Sequence, residues 1–180
     1  MRALRAFVAV VDRLNYGVGR VVMLGIFALM GVLLWSTVSK VFLSPSLWTL
    51  EMAQFVMVGY YVLGGPYAMQ MGADVRMDLI YAELAPRRKA WTDAFTIVVL
   101  LAYLAILLWG GIESTHYAFL YGGERSSSAW RPYLWPIKLT ICAGLVLMML
   151  QAMAELARDV IFLATGERIR HPGREARHAA

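Results

Sequence analysis

Charge is scarce in this chain. Only 16% of its 180 residues are Asp, Glu, Lys or Arg, while 60% are hydrophobic. A soluble domain runs at about 25% charged and about 45–50% apolar. A soluble fold of this length would leave broad apolar patches on its surface and aggregate, and disorder needs the opposite balance. Cysteine is nearly absent. With Cys142 alone no intrachain disulfide forms, which excludes membrane redox enzymes that work through cysteine pairs and four-helix membrane families stapled through their loops. Histidine is short too: His116, His171 and His178, the last two in a polar tail. A haem held between helices takes its axial ligands from inside the spans, and none of these is placed for that. No Gly-rich phosphate loop, nucleophile elbow or metal-ligand spacing is present. No enzyme is expected, and no catalytic, cofactor or metal site.

What remains is a membrane protein of one domain. Four uncharged stretches stand out: Val21–Ser39 (19 residues), Met52–Ala73 (22), Ala94–Ile112 (19) and Leu139–Ala154 (16). A bilayer core of about 30 Å takes roughly 20 helical residues. The fourth stretch is short, but Trp135, Pro136 and Ile137 precede it, and Lys138 can reach its ammonium out to the headgroups. The pattern predicts an all-α integral membrane domain over 1–165, with spans at about 18–40, 50–72, 91–114 and 136–160. The first apolar run is too long, and starts too far from Met1, for a cleaved signal peptide.

The net charge of +5 is better read by position than as a sign of nucleic acid. Thirteen Lys and Arg lie in the N-terminal segment, the second connection and the C-terminal segment; four lie in the other two connections. Lys and Arg favour cytoplasmic segments, so both termini are expected in the cytoplasm. Trp35, Trp48, Trp109, Tyr117, Tyr121, Trp130, Tyr133 and Trp135 crowd the outer side, where half-apolar rings sit at the interface.

Between the spans, residues 1–14 carry Leu4, Phe7, Val8, Val11 and Leu14 at helical spacing, with Arg2, Arg5, Asp12 and Arg13 largely off that face. This predicts an amphipathic helix on the inner surface; membrane lipid and a partner protein both fit its apolar face. A second such helix is predicted in the second connection, where Met77, Ile80, Tyr81 and Leu84 share a face and Pro86 ends it. The segment Glu113–Lys138 predicts an ordered outer cap, with Pro136 in the first turn of the last helix. The tail 166–180 is polar and predicts disorder in the cytoplasm.

Transporters that couple ions or protons keep ionisable groups inside their spans. Here Glu51, Glu113, Lys138 and Glu155 all fall at span ends, so this chain alone is not expected to be a coupled carrier. Glu51 opens the second helix, where a carboxylate suits the helix dipole and equally a polar contact to a partner. Glu113 and His116 read as a solvated pair. Gly64–Gly65–Pro66 predicts a kink. Gly64, Ala68 and Gly72, four apart, would admit a close helix, either within the chain or from another subunit. The methionines read as gap-filling.

Trp48, Glu51 and the run Gly72-Ala73-Asp74-Val75-Arg76-Met77-Asp78 resemble the small permease subunit of tripartite ATP-independent periplasmic (TRAP) transporters of bacteria. That family commonly shows a Trp and a Glu opening this helix, then Gly, a variable residue, His, a hydrophobic residue, Arg, another hydrophobic residue and Asp. Asp74 stands where the His is usual. The segment Ser128–Lys138, and Gly144 followed by Gln151, resemble one branch of the family. The resemblance implies a small subunit that scaffolds a large multi-helix permease in the inner (plasma) membrane. The large subunit would hold the substrate and sodium sites and move as an elevator, and a periplasmic substrate-binding protein would deliver an organic acid. Trp48, Glu51, Arg76 and Asp78 from the resemblance, together with Gly64, Ala68 and Gly72 from their spacing, are the candidate partner contacts. Two other classes stay open from the residues alone: a homo-oligomeric channel or carrier lined by Ser36, Thr37, Ser39, Gln54, Gln70 or Thr96, and a membrane anchor of a redox complex.

Overall fold

A computed structural model describes residues 2–72, 86–120 and 123–166. The predicted second amphipathic helix, Asp74, Arg76, Asp78 and the tail beyond Gly166 lie outside the described residues. The described chain is helical throughout apart from its connections: α1 Arg2–Met23, α2 Gly25–Phe42, α3 Thr49–Met71, α4 Pro86–Leu120 and α5 Trp135–Thr165.

Among the described residues, three stretches are long and apolar enough to cross a membrane: Arg2–Phe42, Trp91–Leu120 and Trp135–Thr165. α3 has the length, 23 residues, but Gln54, Gly64, Gly65, Pro66 and Gln70 dilute its apolarity. α4 starts at Pro86 and runs to Leu120, past both ends of the expected 91–114 span. Pro136 lies in the first turn of α5, as expected. α3 and α5 end on glycines in the left-handed region, Gly72 (φ 63°) and Gly166 (φ 75°), which only a residue without Cβ adopts at little cost.

The first two helices depart from the expectation of a separate surface helix followed by a span. They form one rod, interrupted only at Leu24, where two i→i+3 bonds tighten the turn (Leu24 N–H to Val21 O and Phe27 N–H to Leu24 O, both 3.1 Å). The face that α1 buries also differs. Val8, Val11, Asp12, Asn15 and Gly19 are buried, while Leu4 and Leu14 are exposed. Asp12, expected off the packed face, is on it because a cation waits there.

The rod runs antiparallel to α3: Asp12 meets Gln70, Gly19 meets Tyr67 and Gly25 meets Tyr60, and Ser36 meets Thr49. α3 and α5 lie side by side and parallel, with Gly59 against Thr140, Gly144 against Val62 and Gly65 against Met148. α4 flanks α5, with Gly111 against Cys142 and the Phe119 and Trp135 rings 5.9 Å apart. The helices therefore form a row, α2–α3–α5–α4, with α1 lying across α3 and α5 at one end. Two small apolar clusters hold it: Val8 and Val11 with Ala154 and Ala157, and Leu104 with Leu145 and Ala152.

The connection between α4 and α5 is described from Gly123 onward. Ser126 N–H donates to Pro132 O and Leu134 N–H to Glu124 O, both at 3.0 Å, making a short hairpin with an Arg125–Tyr133 bridge. The Arg125 guanidinium sits 4.4 Å from the Tyr133 ring centre. Lys138, expected to reach for headgroups, instead ion-pairs with Glu124 and donates to Ser114 O at 3.3 Å.

Candidate functional site

The most polar part of the interior is at the α1 end of the bundle. Arg158 on α5 is 4% exposed and Asp12 on α1 is 5% exposed, and the two form an ion pair. Arg158 also donates to Glu155 Oε1 at 2.6 Å. Gln151, one turn before Glu155, donates to the same oxygen at 3.1 Å and accepts from Asn15 Nδ2 at 2.7 Å. Gln70 near the end of α3 donates to the Asp12 carbonyl at 3.0 Å. Six side chains thus join three helices. A buried charge without a partner is strongly destabilising, so the pairing is what permits Asp12 and Arg158 inside. Asp12 Oδ1, Asn15 Oδ1, Gln70 Oε1 and Arg158 Nε are buried there without a partner among the described residues.

A second polar patch lies at the other end, where α2 turns into α3. The hydroxyls of Ser39 and Ser46 are 3.0 Å apart, those of Ser46 and Thr49 2.9 Å, and Thr49 donates to Ser36 at 3.1 Å. Glu51 extends the patch to the cap between α4 and α5 by accepting from Ser126 Oγ at 2.5 Å. Its carboxylate therefore ties α3 to the cap in addition to sitting in the first turn of the helix.

The other sequence-derived candidates are dispersed along α3. Trp48 is the half-exposed residue before the first turn. Gly64 sits beside α1, where an added Cβ would reach Val22 at 3.9 Å, an ordinary contact. Ala68 and Met69 lend their carbonyls to the Gly72 cap, so Gly72 has a backbone task of its own. The closest helix approaches occur elsewhere. A Cβ on Gly144 would overlap the Val62 side chain and come within 3.0 Å of the Val62 carbonyl oxygen, and one on Gly19 would overlap the Tyr67 ring. Glu113 and His116 are exposed on α4.

Reasoning from the sequence missed the Asp12–Arg158 pair. The signal was there: Val8, Val11, Asp12, Asn15 and Gly19 share one helical stripe, and Gln151, Glu155 and Arg158 share another. Gly144 and Gln151, singled out by resemblance, are the close-approach point and a network member respectively.

The family model described as tripartite ATP-independent periplasmic transporters, DctQ component, matches residues 16–161. The chain belongs to this DctQ family. It is therefore a small membrane subunit of a TRAP transporter, one component among several. The DctQ match begins after Asp12 and Asn15 and ends at residue 161, so it takes in the bundle except the first turns of α1 and the last turn of α5. No curated protein and no solved structure matches the chain.

Proposed function

We propose that this DctQ subunit is a static scaffold. It holds a large elevator-type permease in the bacterial inner membrane during sodium-coupled uptake of organic acids, which a periplasmic binding protein delivers. In this reading α3 is the fourth span, both termini are cytoplasmic, and Trp48, Glu51, Gly64, Ala68, Gly72, Arg76 and Asp78 serve partner contact.

The observation that carries the proposal is how the buried charge is used. Asp12, Arg158 and Glu155 are closed on one another near one end of the bundle. A coupled carrier needs such groups presented to a cargo; a scaffold needs them to fasten its helices. Of the six residues offered as a lumen lining, all but Gln54 are likewise engaged. Ser36 and Ser39 belong to the hydroxyl chain, Thr37 and Thr96 bond their own helices, and Gln70 is held by Asp12. This disfavours the homo-oligomeric channel.

The test is reconstitution. Proteoliposomes with a sodium gradient and a loaded binding protein are expected to take up substrate with both membrane subunits present and not with this chain alone. Robust uptake by the chain alone would overturn the proposal.

A further inference from the structure

One side of α3 is left bare by the bundle. The rod covers the side of Thr49, Ala53 and Tyr60, and α5 covers that of Gly59, Val62 and Gly65. Leu50, Gln54, Met57 and Tyr61, spaced by four, three and four, form an exposed stripe between them. Ala68 falls on the continuation of that stripe. Leu50 and Tyr61 are each 65% exposed, although α3 is an inner member of the row.

The stripe is not simply apolar. With Trp48 at the outer interface, Gln54 lies about 9 Å and Tyr61 about 20 Å inward along the axis, at 1.5 Å per residue. Neither the Gln54 amide nor the Tyr61 hydroxyl has a hydrogen-bond partner among the described residues. Hydrocarbon offers none either, so lipid is a poor occupant for this face. The other outward faces differ. On α2, Phe27, Leu34, Val38 and Val41 are exposed, and the Thr37 hydroxyl is satisfied by Leu33 O. On α4, Phe95, Val98, Ile106 and Trp109 are exposed, and Thr92 and Thr96 bond back to their own helix; Tyr103 is its one deep polar group. An amide and a phenol two turns apart on one stripe call for a protein helix that carries hydrogen-bonding groups at matching heights.

We infer that the Leu50–Gln54–Met57–Tyr61 face of α3 is the docking surface for the large membrane subunit, with Gln54 making an interhelical hydrogen bond to it. This rests on the scaffold reading above, and takes α3 as a span.

The test uses the full chain co-expressed with the large subunit. A photo-crosslinking amino acid is placed at Met57, or at Ile106 on α4 as the lipid-facing control. Met57 is expected to give the adduct with the large subunit, and Ile106 none. Gln54→Leu is expected to lower the large subunit recovered with the tagged chain by about 3- to 10-fold, the range of a membrane hydrogen bond. The melting temperature of the chain alone should not move, since Gln54 bonds nothing within it. An adduct of Met57 with lipid or with a second copy of the chain would overturn the inference, as would unchanged recovery of the large subunit with Gln54→Leu. If the unmodified chain retrieves no large subunit, the scaffold reading itself fails; if retrieval persists but the adduct forms from Ile106, only the choice of face is wrong.

Discussion

Asp12 and Arg158 are the residues on which the bundle depends most. Each is almost fully enclosed, and each has the other as its counter-charge. Removing Arg158 strands Asp12, at a cost of about 3–5 kcal/mol, whereas removing Asp12 still leaves Arg158 paired with Glu155 and costs less; replacing both with apolar residues of similar volume is close to neutral in comparable cases. Arg158→Met and Asp12→Leu are each expected to lower the thermal midpoint in detergent clearly, and the double variant to regain part of the loss. A double variant as unstable as the sum of the singles would mean that the two act independently. The pair was hard to read from sequence for a physical reason. Asp12 sits among Arg5 and Arg13 in a segment whose apolar spacing is satisfied by Leu4, Phe7, Val8, Val11 and Leu14. The stripe through Asp12, Asn15 and Gly19 competes there with the apolar face through Leu4 and Leu14, and the segment by itself does not decide that position 12, and not the leucines, faces inward. That follows only from a guanidinium 146 residues away.

At the scale of helices, the α3–α5 seam brings two backbones close together, and glycine is the reason. Val62 occupies the space where a side chain on residue 144 would be, and its backbone carbonyl stands within 3.0 Å of that point. Backbone cannot swing aside as a side chain can, so Gly144→Ala is expected to destabilise the bundle by about 1–3 kcal/mol through overpacking. Gly110, with open space around it, is the matched control: Gly110→Ala should be neutral or slightly stabilising, since alanine is the better helix former. Equal effects at the two positions in a thermal melt would contradict the seam. The helices themselves were legible as uncharged runs, and α2, α4 and α5 lie where those runs fall. Their ends were less so. α4 begins five residues before the expected span, because Arg87, Arg88 and Lys89 are good helix formers that simply extend it. The rod was also less legible, because a change from amphipathic to apolar composition looks like two elements when the backbone hardly breaks.

For the molecule as a whole, orientation rests on the 13-to-4 split of Lys and Arg. In a Cys142→Ala background, an impermeant thiol reagent applied to intact cells is expected to label Ser127→Cys in the outer cap and to spare Arg88→Cys at the start of α4. The reverse pattern would invert the molecule. The ion pair that closes the bundle also has a consequence in time. Asp12 is made 146 residues before Arg158, an interval of roughly 7–30 s at about 5–20 residues per second of synthesis. During that interval the nascent chain carries an unmatched carboxylate on α1 and no α5 to receive it. α1 can meet α3 before then, but its seating is complete only once α5 has been made.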